Sequence, residues 1–371
     1  MDSELVYKIA LSLTPGISAE VVRNLADLGI STHEFFTLNM PELNQKLRSM
    51  ACRLFQNIAR EEALFRARQE FEFVQRHKIK VLFILDDDFP MLLRDLPDAP
   101  IVLYQLGNTN LDTHPSLSIV GTRRSTSYGL SFTDRFVESV APYYPDAMIV
   151  SGLAYGIDTA AHVAALKHGL PTVAVMAHGL DTIYPAQNRD LAKQILAHGG
   201  SILSEYPTKT RPYRQNFLQR NRIVAGLSEL TFVVESEIKG GAMSTASIAF
   251  SYGRDVMALP GRFNDPISAG CNHLIAKEKA RIYTSLPDLM NLMRWKIPAL
   301  DAMPPQKVLF PELEGDLATV YQTLRQTAQP MSIDSIHLNT GLSMPLLMAA
   351  LTELEFEGII NKLPGARYEL S

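Results

Sequence analysis

The sequence predicts a doubly wound α/β domain with a mainly parallel sheet, preceded by a helical segment and followed by helices and a hairpin. The first observation is a series of eight short apolar runs, rich in β-branched residues, between residues 80 and 260. The second is that, from residue 116 onward, these runs mostly alternate with helical stretches. This alternation is typical of parallel strands covered by helices on both faces. The runs are VLFIL, IVLY, LSIV, AMIV, TVAVM, SILS, LTFVV and VMAL.

The first two runs, VLFIL and IVLY, come before the alternation begins, and we expect them to extend the sheet at one edge. With 371 residues and 46% hydrophobic content, the chain is long enough for two or three domains of about 150 residues. The predicted boundaries are a helical domain over 1–75, the α/β domain over 76–290, a proline-rich linker over 291–315 and a last domain over 316–371.

The composition excludes several classes of protein. No apolar run approaches the roughly 20 residues of a membrane span, and the acidic start MDSELVYK is unlike a signal peptide, so a cytoplasmic protein without a membrane partner is expected. Cys52 and Cys271 lie in different predicted domains, and neither belongs to a CxxC pair. The nine histidines form no ligand-spaced cluster. Neither a disulfide framework nor a metal site is therefore predicted.

The N-terminal segment shows helical periodicity from residue 5 to about 70. The string LTPGIS separates two amphipathic runs, and Ser18 is placed to cap the second. The pattern resembles a helix-hairpin-helix or SAM-like module. Such a hairpin can present backbone amides to a phosphate, but a plain helical packing unit is an equal alternative.

The C-terminal segment has the order of a winged helix: a helix, the short helix IDSIHLN, a turn at Gly341, a long helix and the hairpin-like string INKLPGARYEL. Winged helices often place a helix in the major groove of a duplex. Here the long helix, 343–357, contains Glu353, Glu355 and Glu357 and no lysine or arginine. Because a duplex would repel these charges, we expect this domain to contact protein or to pack.

The segment over residues 207–226, PTKTRPYRQNFLQRNRIVAG, has five basic residues, two aromatic residues and no acid, in a chain whose net charge is −4. Guanidinium groups suit phosphates, and aromatic rings suit unpaired bases, each stacked base contributing about 1–3 kcal/mol. The alternative is a solvated basic helix start in which Phe217 is a core residue. The predicted phosphate contacts are Arg211, Arg214, Arg220 and Arg222, and the predicted stacking residues are Tyr213 and Phe217.

Four glycine-containing turns follow predicted strands, where α/β sheets collect their ligands. Backbone amides and helix N-termini at such turns attract anions. Together with the basic segment, the turns predict an anion-binding edge. They contain Gly121, Thr122 and Arg123; Ser151 and Gly152; Gly179; and Gly240 and Gly241, followed by Ser244 and Thr245.

The absence of other motifs narrows the kind of anion. The sequence has no GxGxxG, no GxxxxGK[ST] and no GxSxG, so no dinucleotide cofactor, no triphosphate site of the usual kind and no nucleophile are predicted. Asp181 and Glu235 could act as acid and base, but holding Arg189 or the arginines of the RNR string is the favoured role. The phosphate backbone of a nucleic acid fits best.

Five longer strings follow one another in the α/β region: SIVGTRRSTSYG, SGLAYGIDTAAH, GLDTIYPAQNRDLA, SEYPTKTRPYRQNFLQRNRIVAGLS and ALPGRFNDPISAGCNHLI. In these strings and in their order, the chain resembles the DNA-processing protein A (DprA/Smf) family across about residues 80 to 285. The resemblance implies an extended Rossmann-like fold that binds single-stranded DNA, forms a homodimer and hands the strand to RecA recombinase in natural transformation, without catalytic activity.

The resemblance also assigns roles to residues. The family's GSR turn becomes Gly121, Thr122 and Arg123, a phosphate clamp, and Phe217 becomes the base-stacking residue, with Leu218 where the family has proline. Gly240, Gly241 and Ala242 stand for an SGS-type turn. The complete predicted single-stranded DNA site is Gly121, Thr122, Arg123, Ser151, Gly152, Arg211, Arg214, Asn216, Phe217, Arg220, Asn221, Arg222, Lys239, Gly240, Gly241, Ser244 and Thr245.

Two other functions fit the sequence less well. A phosphoribohydrolase of the lysine-decarboxylase-like group needs a PGGxGTxxE loop, but alignment on Gly240 and Gly241 puts Ser247 at its catalytic glutamate. A structural adaptor would leave the basic segment unexplained. For a homodimer, Ile267, Leu274 and Ile275 could form a face, although a place in the core is favoured.

Overall fold

The computed structural model describes residues 3–47, 60–295, 313, 315–327, 330–356, 359–363 and 365–370. Two compact units, 1–302 and 303–371, divide the chain. Most of the predicted linker, 291–315, and Cys52 lie outside the described residues. Cys271 is buried with a free thiol.

The chain begins with helices, as the periodicity predicts. Ser18 caps the second helix by accepting a hydrogen bond from the Val21 amide, which confirms its predicted role. Ile9 and Phe35 are fully buried in a core that continues into the sheet, so the helices and the sheet pack as one unit. The helices are α1 (Glu4–Leu13), α2 (Ala19–Asp27), α3 (Thr32–Thr37), α4 (Met40–Leu47) and α5 (Arg60–Arg76).

A nine-stranded sheet forms the centre of this unit, in the order β1-β2-β6-β5-β4-β3-β7-β8-β9. From β6 to β9 all neighbours are parallel, whereas β1 and β2 are antiparallel additions at one edge. This confirms the predicted fold class and edge extension. The strands are β1 (Lys80–Phe83), β2 (Val102–Gly107), β3 (Ser116–Val120), β4 (Met148–Ser151), β5 (Thr172–Val175), β6 (Ser201–Ser204), β7 (Leu230–Val233), β8 (Asp255–Ala258) and β9 (Arg281–Ile282).

Both faces of the sheet are covered. Along β4, Met148 and Val150 belong to one apolar cluster and Ile149 to another, as expected for a strand buried on two sides. Leu274 lies in the core and Ile275 packs against it, whereas Ile267 is half-buried. The helices of this part are α6 (Met91–Arg94), α7 (Ser127–Val140), α8 (Ile157–Lys167), α9 (Arg189–Ala197), α10 (Arg214–Gly226), α11 (Gly241–Ser251), α12 (Ala269–Ala276) and α13 (Leu286–Met293).

The C-terminal unit has the predicted winged-helix order. Its antiparallel sheet runs β10-β12-β11 and packs on the helices through Val320, Leu351 and Tyr368. Glu353 and Glu355 are exposed on α16, and Glu357 lies outside the described residues. The elements are α14 (Gly315–Thr327), β10 (Met331–Ser332), α15 (Ile333–Thr340), α16 (Met344–Phe356), β11 (Ile360–Leu363) and β12 (Arg367–Leu370).

Among the described residues, no helix combines the length and apolar character that a bilayer span requires.

Candidate nucleic-acid interface

The loops after β3, β4 and β7 are tied together at the carboxyl edge of the sheet. The Thr122 amide donates to the Glu235 carbonyl over 2.7 Å, and the Ile157 amide donates to the Thr122 carbonyl over 3.2 Å. Gly156 has a φ of +76°, and a Cβ there would lie 2.2 Å from the Thr122 carbonyl oxygen. Only glycine permits this close approach, so the turn with Gly121, Thr122 and Arg123 is held in a fixed place.

An aromatic and cationic cluster stands at this edge. The exposed Arg123 guanidinium carbon lies 5.3 Å from the centroid of the Phe217 ring. Tyr184, which is 44% exposed, meets the same ring edge-on at 5.8 Å between centroids. Phe217 itself is half-buried on the first turn of α10. Phe217 is therefore held by neighbouring side chains but is not fully buried. This placement is intermediate between that of a base-stacking residue and that of a core residue.

Arg220 differs from its predicted role as a phosphate contact. It is 4% exposed, and its guanidinium donates to the Gly152 carbonyl over 2.9 Å and to the Val175 carbonyl. Its guanidinium carbon lies 6.0 Å from the Phe217 ring centroid. Arg220 thus joins the ends of β4 and β5 close to the aromatic ring, and a direct phosphate contact does not fit this placement.

A buried carboxylate accompanies Arg220. Burial lowers the pKa of Arg220, and the nearby Asp158 charge opposes that change. Burial likewise raises the pKa of Asp158, while the charge of Arg220 lowers it. Gly152 makes room for the pair, because a Cβ there would come within 2.4–2.6 Å of the guanidinium. Gly152 therefore has a steric role and is not accessible to DNA.

Three more predicted contacts also point inward. Arg222 forms an ion pair with Glu205, and both side chains are mostly buried. The Ser151 hydroxyl is fully buried and donates to the Ile119 carbonyl over 2.7 Å. Thr245 is buried in α11. Direct contact with DNA does not fit these placements either, because each side chain is mostly or fully buried within the protein.

The remaining predicted cations are exposed, as are Arg124 and Lys209, which were not in the predicted site. Among the described residues, none of these cations lies within ion-pair distance of an acid. None of them is therefore neutralised by a direct ion pair within the part of the chain that the structure describes. The exposed cations are Arg123, Arg124, Lys209, Arg211, Arg214 and Lys239.

The predicted polar residues occupy the rim. Asn216 is half-buried, and its side-chain amide donates to the Arg211 carbonyl over 3.1 Å, which orders the start of α10. Asn221 is half-buried on the same helix. Gly241 is exposed at the first position of α11, and Gly240 and Ser244 are half-buried beside it.

Asp181 and Glu235, which were expected to hold arginines, instead accept hydrogen bonds from other groups. Glu235 accepts hydrogen bonds from the Thr126 amide, over 2.9 Å, and from the Thr126 hydroxyl. Asp181 accepts a hydrogen bond from the Lys209 amide over 3.0 Å. The acids near the RNR arginines are Asp158 and Glu205. Asp158 lies on α8 and Glu205 follows β6, whereas both arginines lie on α10, so no local sequence pattern indicated these pairings.

Tyr184 was also missed, although it lies within the quoted string GLDTIYPAQNRDLA. It lies between β5 and α9, in a segment that brings its ring against Phe217. Among the described residues, no group of three or more side chains is arranged to hold a metal ion.

Comparisons with known proteins agree with this architecture. Residues 80–294 match the family described as DNA recombination-mediator protein A, and residues 304–366 match the DprA winged helix domain. The chain is 35% identical over 334 residues to Protein Smf of Synechocystis, covering 81% of this chain and 83% of that one.

Two solved structures are similar. The X-ray structure of DNA processing protein A from Streptococcus pneumoniae has a TM-score of 0.63 and 31% identity, covering 78% of this chain and 98% of that one. A structure of DNA processing protein A from Helicobacter pylori, described for its single-stranded DNA binding mode, has a TM-score of 0.52 and 34% identity, covering 58% and 96%. The chain therefore belongs to the DNA recombination-mediator protein A family, also known as DprA or Smf.

Proposed function

We propose that this protein binds single-stranded DNA along the carboxyl edge of its sheet and passes the strand to a RecA-type recombinase during DNA uptake. The observation that carries the proposal is the Phe217 ring, which contacts Arg123 and Tyr184 on an edge that also carries exposed cations. The Helicobacter relative described for single-stranded DNA binding supports the choice of ligand.

The ring cluster favours an unpaired strand over a duplex. A base can stack on an aromatic face only when it is free of its partner, and every base has such a face. The cations would meet the phosphates on either side of the stacked base. Binding of this kind has little dependence on sequence.

A binding role is favoured over catalysis at this edge. The carboxylates of Glu235 and Asp181 accept backbone hydrogen bonds, and one terminal nitrogen of Arg220 donates to two backbone carbonyls. These groups build the edge and are not aimed at a reacting atom. We therefore propose a mediator without enzymatic activity, acting in the cytoplasm.

The family supports the finer assignments. We propose a homodimer, because two basic edges joined by symmetry raise the effective concentration of sites along one strand. The next partner is then the recombinase that takes over the strand.

The proposal is tested by titrating the full protein with fluorescent single-stranded and duplex oligonucleotides over a range of salt concentrations. We expect tighter binding to the single strand, with log K falling linearly against log salt, by about 0.7 per phosphate contact. Arg135→Ala serves as a charge-matched control, since Arg135 is exposed in the middle of α7, about 12 Å along the helix from the edge. Tighter duplex binding, or affinity that ignores salt, would contradict the proposed site.

A second measurement addresses the partner. Sedimentation of the free protein should give a dimer, and RecA ATPase activity on strands coated with single-strand-binding protein should start sooner in its presence. A monomer that delays RecA would leave strand binding without mediation.

A further inference from the structure

The loop that precedes α10 is held from outside the sheet, by the N-terminal helix α5. This loop, residues 207–211, connects β6 to α10 and carries the exposed cations Lys209 and Arg211. We infer that Glu70 of α5 is a positioning residue for this loop and that the N-terminal helical segment thereby forms part of the DNA-binding apparatus. The inference rests on the proposed function.

Glu70 contacts one residue of the loop through both of its carboxylate oxygens. These accept hydrogen bonds from the Thr208 amide, at 3.1 and 2.9 Å, and one of them also accepts the Thr208 hydroxyl at 2.6 Å. Glu70 is 2% exposed, and Thr208 is also buried. The carboxylate therefore cannot reach DNA itself and acts on the loop alone.

Arg66, one turn before Glu70 on the same helix, completes this contact. Its guanidinium donates to the Thr208 carbonyl and, over 3.2 Å, to the Thr208 hydroxyl oxygen. The Arg66 and Glu70 side chains are 3.8 Å apart, so their charges support one another. The amide, carbonyl and hydroxyl of Thr208 are thus all engaged by α5.

The sheet holds the loop from the other side. Asp181 accepts the Lys209 amide over 3.0 Å, and the Gly179 amide donates to the Thr210 carbonyl over 3.3 Å. A Cβ at Gly179 would lie 2.4 Å from the Pro207 carbonyl oxygen, so the two segments touch closely. The loop is fixed between α5 and the turn after β5.

The loop needs such support, because Lys209 has a φ of +65°. This is the left-handed region, which a non-glycine residue keeps only when its surroundings hold it there. Release of Thr208 would let the backbone of Lys209 relax. The Lys209 ammonium group and the Arg211 guanidinium group would then move with the backbone. A preformed loop spares the cost of ordering these side chains when the strand binds.

The sign of the effect of Glu70→Gln on DNA affinity distinguishes positioning from simple charge. Removal of a carboxylate near a polyanion should, by Coulomb attraction alone, tighten DNA binding. If Glu70 positions the loop, Glu70→Gln instead weakens binding to a labelled single-stranded oligonucleotide by about three- to tenfold. Glu72→Gln is the matched control, because Glu72 is exposed on the same helix and makes the same change in net charge. It should leave the affinity unchanged or slightly higher.

A triple variant, compared with its parent double variant, tests whether the effect passes through the loop. In a protein that already carries Lys209→Ala and Arg211→Ala, adding Glu70→Gln should cost little further affinity, since the cations that it positions are gone. An undiminished loss in that background would overturn the inference.

Hydrogen exchange provides a readout that does not need DNA. We expect the peptide covering residues 207–211 to exchange faster in Glu70→Gln than in the wild type or in Glu72→Gln, while the sheet strands keep their protection. If the wild type fails to bind single-stranded DNA but this exchange result holds, the proposed function is wrong, whereas the role of Glu70 in holding the loop is supported. If the wild type does bind, a Glu70→Gln variant with the same affinity as the wild type would overturn the positioning role. Unchanged exchange of the loop peptide would overturn it as well. Should Glu70→Gln unfold, Thr208→Ala removes only the hydroxyl contacts and must show the same loop-specific exchange.

Discussion

The guanidinium of Arg123, on the loop after β3, lies over the ring of Phe217, on α10, with 5.3 Å between the guanidinium carbon and the ring centroid. The two residues are distant in sequence and meet at the carboxyl edge of the sheet. In the proposed binding mode, Arg123 meets a phosphate and Phe217 stacks on a base, so the residues that supply the charge and the stacking contributions are neighbours. This pairing makes it possible to separate them by mutation.

Phe217→Ala should weaken single-stranded DNA binding by about 1–3 kcal/mol and leave the slope of log K against log salt nearly unchanged, because stacking releases no counterions. The measurement is a titration at four salt concentrations, with circular dichroism to confirm the fold. Phe250→Ala is the control, since Phe250 is an exposed aromatic in the last turn of α11. If Phe217→Ala unfolds the protein, Phe217 is a core residue.

Arg123→Ala and Arg214→Ala should each weaken binding and lower the salt slope by about 0.7, the value for one phosphate contact on a single strand. Both side chains are exposed, so neither change should alter the unfolding midpoint. The same titrations give the slopes, with Arg135→Ala as the control. A loss of affinity at constant slope would assign these arginines a role other than phosphate contact.

Gly152→Ala should destabilise the fold by about 1–3 kcal/mol, because the new methyl group overlaps the buried Arg220 guanidinium. Urea unfolding measures the change. Gly241→Ala is the matched control: a Cβ there meets nothing within 4 Å, and an added Cβ in a compatible conformation stabilises by about 0.4–1 kcal/mol. Equal stability of the two variants would mean that Arg220 is not held as described.

Acid should destabilise the protein through His162. Thr172 donates its only hydroxyl proton to the Ile149 carbonyl, so the His162 Nδ1–H must donate to Thr172 and Nε2 stays bare in the core. Burial and the charge of Arg220 lower the pKa of His162 to about 3. The unfolded chain takes up this proton near pH 6.5, so the stability is present above that pH and is lost as the pH falls.

Between pH 6.5 and 5, the free energy of unfolding of the wild type should therefore fall by up to about 2 kcal/mol more than that of His162→Leu. Urea unfolding at several pH values measures both slopes. His198→Leu makes the same substitution at an exposed histidine and is the control for the change of side chain. Parallel slopes for wild type and His162→Leu would contradict the buried neutral imidazole.

Local patterns were enough to predict the strands, and the reason is physical. Each of β1 to β8 is an apolar run that must be buried, whereas β9 is two exposed residues, Arg281 and Ile282, that give no such signal. The turns at the carboxyl edge of the sheet could also be predicted, because the glycines and the clustered arginines lie in short continuous segments.

The direction of individual side chains was not predictable. Arg220 and Arg214 look alike in sequence, but only Arg220 finds unpaired carbonyls at the ends of β4 and β5. Glu70 and Thr208 are 138 residues apart, so their contact depends on how the helical segment packs on the sheet. Long-range contacts of this kind decide which charges are free.

The ties among Thr122, Ile157 and Glu235 leave the three loops little freedom to adapt to a ligand. The loss of conformational freedom on binding then falls mainly on the nucleic acid. In the proposed binding mode, a run of adenines, whose bases already stack on one another, must give up that order to place one base on Phe217, whereas a run of thymines is more flexible. A rigid protein edge can thus create a modest preference for base composition with no hydrogen bond to any base.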